Sequence, residues 1–102
     1  MTIQNTHQFP LTLLCEERTQ VAALTIVYHL YHRADGIYLM EISDGADVRR
    51  ASLGARLRPA ASFFFAVVDG GVTPCTFFDV LEDADDEGFF QKIPLQSGKN
   101  ML

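Results

Sequence analysis

Cysteine is scarce. Cys15 and Cys75 stand far apart without a CxxC spacing, so neither a disulfide framework nor a zinc site is indicated. No apolar run approaches the ~18 to 20 residues that span a bilayer. The opening segment MTIQNTHQFP has neither the basic residue nor the apolar block of a signal peptide. Together these absences lead to the expectation of a soluble, cytoplasmic chain that does not engage a membrane. Net positive charge is also missing: the formal charge is −5, which argues against nucleic acid as the main ligand. No GxSxG, HExxH, Walker or dinucleotide fingerprint occurs, and no cofactor is expected.

What is present is a chain of 102 residues, 48% hydrophobic, long enough for one core and too short for two. A single domain over residues 1–102 is expected, with residues 1–8 and 96–102 as mobile ends. Six of the thirteen acids (Asp79, Glu82, Asp83, Asp85, Asp86 and Glu87) share one nine-residue window, while Arg49, Arg50, Arg56 and Arg58 supply four of the eight bases. The remainder is close to neutral, so this polarity is as readily matched within the molecule or across a dimer as by a foreign partner.

Residues 21 to 53 read as an antiparallel meander with turns at Asp35-Gly36 and Asp44-Gly45. Two three-residue loops, Ala34-Asp35-Gly36 and Ser43-Asp44-Gly45, set Leu30 opposite Met40 and Met40 opposite Val48. One face then carries Leu24, Ile26, Tyr28, Leu30, Tyr38, Met40, Ile42 and Val48. The other, with Thr25, Val27, His29, Tyr31, Ile37, Leu39, Glu41 and Arg49, is mixed, and suited to partial cover by the tail or a second subunit. Upstream, PLTLLCEER is a further strand in which Leu11, Leu13 and Cys15 alternate with Thr12, Leu14 and Glu16.

Beyond Gly54 the period becomes helical. RPAASFFFAVVDGG places Ala61, Phe64, Phe65 and Val68 on one stripe, with Pro59 in the first turn and Gly70-Gly71 past the end. Phe63 and Val67 widen the apolar arc, so this helix needs cover on more than one side. Thr73 as N-cap and Pro74 as first residue open a second helix carrying Phe77, Phe78, Val80 and Leu81. Acids oppose the dipole at a helix C-terminus, which predicts an end near Leu81 or Glu82. GFFQKIPL offers a last short strand or an extended segment.

Cys75 is the one candidate catalytic residue. A helix N-terminus favours a thiolate, yet no histidine or second cysteine lies near it in sequence, and the favoured reading is a small buried residue packed beneath the Phe-rich helix. Asp83, Asp85 and Glu87 fall at the first, third and fifth positions of a calcium-type loop with Gly88 at the sixth, but Pro94 occupies the twelfth, where a bidentate Glu belongs. A solvated helix end is the competing reading. His29 and His32, three apart on a strand, point to opposite faces and do not chelate one metal. Phe63 and Val67 on the helix, with Tyr31 and Leu39 on the mixed sheet face, are the candidate interaction residues, alongside an ordinary intramolecular core.

The segment LRPAASFFFAVVDGGVTPCTFFDVLED, with Asp35-Gly36-Ile37 in the hairpin and Val72, Thr73, Pro74, Asp79 and Val80 after the first helix, resembles a small family of uncharacterised proteins from clostridia and related Firmicutes. The resemblance covers about 60 residues. It implies a cytoplasmic α+β domain without an assigned activity, and no family pattern includes Cys75.

The expected architecture is α+β: an antiparallel meander sheet of three or four strands, one face covered by the Phe-rich helix, with a short second helix. The expected function is a small non-enzymatic protein-interaction or regulatory module, homodimeric or bound to a protein partner. A thiol-dependent redox sensor or enzyme using Cys75 is the alternative. A small-molecule ligand between helix and sheet, near Tyr28, Tyr38 and the phenylalanines, is a third class.

Overall fold

Three short turns fold the first half of the chain into a four-stranded antiparallel sheet of order β1-β2-β3-β4. In the computed structural model, which describes residues 9–88, the strands are β1 (Leu11–Val21), β2 (Leu24–Arg33), β3 (Tyr38–Ser43) and β4 (Val48–Ser52). Two helices follow, α1 (Leu57–Asp69) and α2 (Pro74–Asp86). The readings of residues 1–8, of GFFQKIPL and of residues 96–102 lie outside the described residues.

The first expected loop is found as read. Leu30 pairs with Met40, Arg33 bonds Ile37 across Ala34-Asp35-Gly36, and Gly36 closes the turn at φ 97, a conformation that costs a residue without Cβ little. The second loop is one residue longer than expected. Ser43 pairs with Val48 because the Asp44 carboxylate accepts from the N–H groups of both Ala46 and Asp47, at 2.9 and 2.8 Å, and so captures Asp47 into the turn. An odd shift flips every side chain on the strand. Val48 therefore leaves the core face and is 56% exposed, Arg49 takes the helix side, and Arg50 joins the opposite face.

A bulge between Leu13 and Cys15 alters β1 in the same way. Cys15 pairs with Leu30 on the helix side, whereas Leu13 pairs with Tyr31 on the other. The strict alternation Leu11, Leu13, Cys15 is thus broken, and both leucines move to the open face. The β1–β2 turn, Ala22-Ala23, has no glycine, asparagine or proline, and Ala22 takes φ 55.

Ile26, Tyr28, Leu30, Met40 and Ile42 form the sheet side of the core; Ala60, Phe63, Phe64, Val67 and Phe77 form the helix side. Each such burial contributes on the order of 1.5–3 kcal/mol for a large side chain. The buried stripe of α1 is Ala60, Phe63, Phe64 and Val67, centred about one residue earlier than the sequence suggests, and Phe65 is 46% exposed. Phe63 and Val67 are therefore core residues, and cover for the wide apolar arc comes from α2: the Phe63 and Phe77 ring centroids lie 6.4 Å apart.

The second helix does not stop at Leu81 or Glu82 but runs to Asp86. Val80, Leu81 and Ala84 pack against the core. That burial outweighs the ~0.3–1 kcal/mol by which each late carboxylate opposes the dipole. Thr73 occupies the N-cap position without a side-chain bond to the helix backbone.

Candidate functional site: the open face of the sheet

Both helices lie on one side of the sheet, α1 across β1 to β3 and α2 across β3 and β4. Among the described residues, no helix or strand covers the other side. Strand register orders that side into rows that cross all four strands. One row is Leu13, Tyr31, Leu39 and Ser52; the next is Glu16, His29, Glu41 and Arg50; the third is Arg18, Val27, Ser43 and Val48.

The middle row is a continuous chain of polar contacts. His29 Nε2 lies 2.9 Å from a Glu16 oxygen and His29 Nδ1 lies 3.4 Å from Glu41 Oε1, while Arg50 Nη2 donates to Glu41 Oε2 at 2.7 Å. Arg18 adds a second contact to Glu16 at 3.1 Å. Hydrogen bonds from His29 and Arg18 hold the Glu16 carboxyl below the usual range. For Glu41, burial is the largest single effect and pushes upward; the bond and charge of Arg50 together with His29 outweigh it, so the net displacement is also downward. Arg50 further lies 5.8 Å from the Tyr31 ring centroid, reaching across β3 past Leu39, which is 7% exposed. Leu13 at the β1 edge is 49% exposed.

Of the interaction residues read from sequence, Tyr31 and Leu39 are thus adjacent on this face, while Phe63 and Val67 are on the other side of the sheet, inside the core. Glu16 and Arg50 were not singled out by sequence. With the second loop read one residue too short, Arg49 falls on the face of Glu41 and Arg50 on the helix side, the reverse of the observed pairing of Glu41 with Arg50.

Cys75 is exposed, so it does not fill a space in the core. Its sulfur lies 3.8 Å from Thr73 Oγ1. Arg49 donates to Asp47 at 2.9 Å, and that bond holds its guanidinium above the usual range. Arg49 also lies over Phe78, 5.7 Å from its centroid. Cys15 is half-buried, and burial, followed by its Glu17 contact, pushes that thiol up.

The acidic run forms no loop. Asp83 and Glu87 line an open cleft of about 280 Å³ on the α1 side of α2, whereas Asp85 lines another of about 490 Å³ on the β4 side. Two residues apart on a helix is a ~200° turn, so Asp83, Asp85 and Glu87 do not converge on one cation. Among the described residues, no three His, Cys, Asp or Glu side chains are placed to hold a metal ion. Neither of these clefts is lined by Tyr28 or Tyr38. Tyr28 is wholly buried. No described helix is long and apolar enough to cross a membrane.

Comparison of the chain with protein-family models, with curated proteins and with solved structures returned no match.

Proposed function

We propose that this protein is a non-enzymatic interaction module that engages a protein partner through the open face of its sheet. The observation that carries the reading is the adjacency of the Leu13–Tyr31–Leu39 row to the Glu16–His29–Glu41–Arg50 row. Leu13, exposed, and Tyr31, half-buried, supply apolar area, and the strip of fixed, alternating polar groups beside them supplies orientation, which is how protein interfaces combine affinity with specificity. The acidic balance of the chain disfavours nucleic acid as that partner. Two free cysteines fit a cytoplasmic setting.

The test is photo-crosslinking in living cells from a reactive residue installed at Leu13, with Leu57, exposed at the start of α1, as the comparison position. The reading expects discrete protein adducts from position 13 and none from position 57. Equal labelling from both, or none from position 13, removes it.

A second reading has its own observation. Cys75 is accessible at the second position of α2, as a thiol-dependent sensor or enzyme requires. Its test is native alkylation at pH 6: rapid, selective modification of Cys75 supports it, and sluggish modification matching a free cysteine removes it.

A further inference from the structure

We infer that the partner of the open face is a second copy of this chain, packed sheet against sheet about a two-fold axis parallel to the strands. The inference rests on the interaction reading above and deepens it. Its warrant is the order of groups in the polar row.

From β1 to β4 the row runs acid, imidazole, acid, guanidinium: Glu16, His29, Glu41, Arg50. A two-fold axis along the strands, between β2 and β3, lays each row on its own reverse. Glu16 then faces Arg50 of the partner subunit, and His29 faces the partner's Glu41. Each contact occurs twice, as an isologous interface demands. The same operation sets Tyr31 against the partner's Leu39 and Leu13 against the partner's Ser52. The alternative two-fold, across the strands, would lay Glu16 on the partner's Glu16 and Arg50 on the partner's Arg50. Like charges in contact cost several kcal/mol. Both two-folds keep the strands of the two sheets aligned, as sheets ordinarily pack, so it is the row pattern that selects between the two symmetric ways of stacking this face.

Position along the row agrees with the energetics. Glu16 and Arg50 are on the two edge strands, with side chains 39% and 49% exposed, so their cross-subunit pairs form at the rim, where water still reaches and charge steers association. His29 and Glu41, in the middle, are already less exposed, at 23% and 18%, and already hydrogen-bonded, so that stacking strips less water from them.

The experiment is sedimentation velocity over a concentration series, followed by native mass spectrometry of mixtures. The wild-type chain should dimerise. Glu16→Arg and Arg50→Glu, each alone, should weaken the dimer by at least about tenfold, because each sets like charges against one another twice. Mixed in equal amounts, the two variants should form heterodimers in preference to either homodimer, since Arg at position 16 of one meets Glu at position 50 of the other and the two remaining wild-type groups also meet. A wild-type chain that stays monomeric at high concentration, a dimer indifferent to both substitutions, or a mixture without heterodimer preference overturns the inference. If circular dichroism shows either variant unfolded, Glu16→Gln and Arg50→Gln replace the pair; each removes an attraction without creating a repulsion, so a smaller weakening, of about twofold or more, is expected, and a dimer unchanged in both overturns the inference. Adducts of foreign mass from position 13 in cells, with a monomeric purified chain, leave the interaction reading standing and remove self-association.

Discussion

The phenol of Tyr28, in the middle of β2, donates a 2.8 Å hydrogen bond to the carbonyl of Val72 in the α1–α2 connection. It ties the sheet to the point where the chain reverses between its helices, 44 residues on. Tyr28 itself is wholly buried, and burial pushes its hydroxyl up, which favours the protonated, donating form. The fold's two layers are thus joined by one polar contact within an otherwise apolar core: among the described residues, no other polar or charged side chain is buried.

Tyr28→Phe removes that donor and leaves the Val72 carbonyl to find water. A loss of ~1 kcal/mol of stability is expected, read from the urea midpoint with an unchanged slope. No loss would mean that water replaces the phenol fully.

Gly71 adopts φ 63, and a Cβ there would stand 3.3 Å from Val21 Cγ2 at the end of β1. Both the left-handed backbone and the close approach oppose a side chain. Gly71→Ala should cost ~1–2 kcal/mol, measured by thermal unfolding.

Ala22 presents the reverse case. It occupies the left-handed region at φ 55 with a methyl group, so Ala22→Gly should raise stability by up to ~1 kcal/mol, less the entropy that glycine adds to the unfolded chain. A fall in melting temperature would show that the unfolded-state effect dominates.

Acid should loosen the open face first. Glu16 is held below the usual range by its bonds from His29 and Arg18; Glu41 is pushed up by burial but drawn down further by Arg50 and His29. A carboxyl depressed in the folded state stabilises it above its unfolded value of about 4.3 and loses that contribution as pH falls through the lower folded value. Urea unfolding between pH 6 and pH 3 should therefore show stability falling with acidification, and Glu41→Gln should flatten the fall. An unchanged pH slope in Glu41→Gln would show that the row adds nothing to folding.

Much of this architecture is set by local pattern. The period-2 run from Leu24 to Leu30, the Asp35-Gly36 turn and the Thr73-Pro74 helix start are each specified within a few residues. Short-range sterics and hydrophobic alternation are enough to place them. The register of Leu30 on Met40 follows from the same reasoning. For the candidate site, this local pattern reached Tyr31, Leu39 and His29 as members of a mixed face.

Tertiary structure decided which residues join them. The Asp44 carboxylate bonds two backbone N–H groups and lengthens one loop by a residue, which carries Arg50, and not Arg49, to the face of Glu41. A bulge at Leu13/Cys15 turns Leu11 and Leu13 outward. The length of α2 was likewise settled by burial of Val80, Leu81 and Ala84 against the core, a gain that helix-end electrostatics alone do not contain. For α2 a local preference of about 0.3–1 kcal/mol per carboxylate met a packing gain of greater size; at the loop and the bulge one extra residue changed the parity of the strand. Composition, periodicity and turn chemistry determined that this chain makes a meander sheet with a Phe-rich helix on one face and a second helix after it; that both helices share one side was decided by packing. Which charges line up across the other side depended on contacts between strands, and those exist only once the strands have paired.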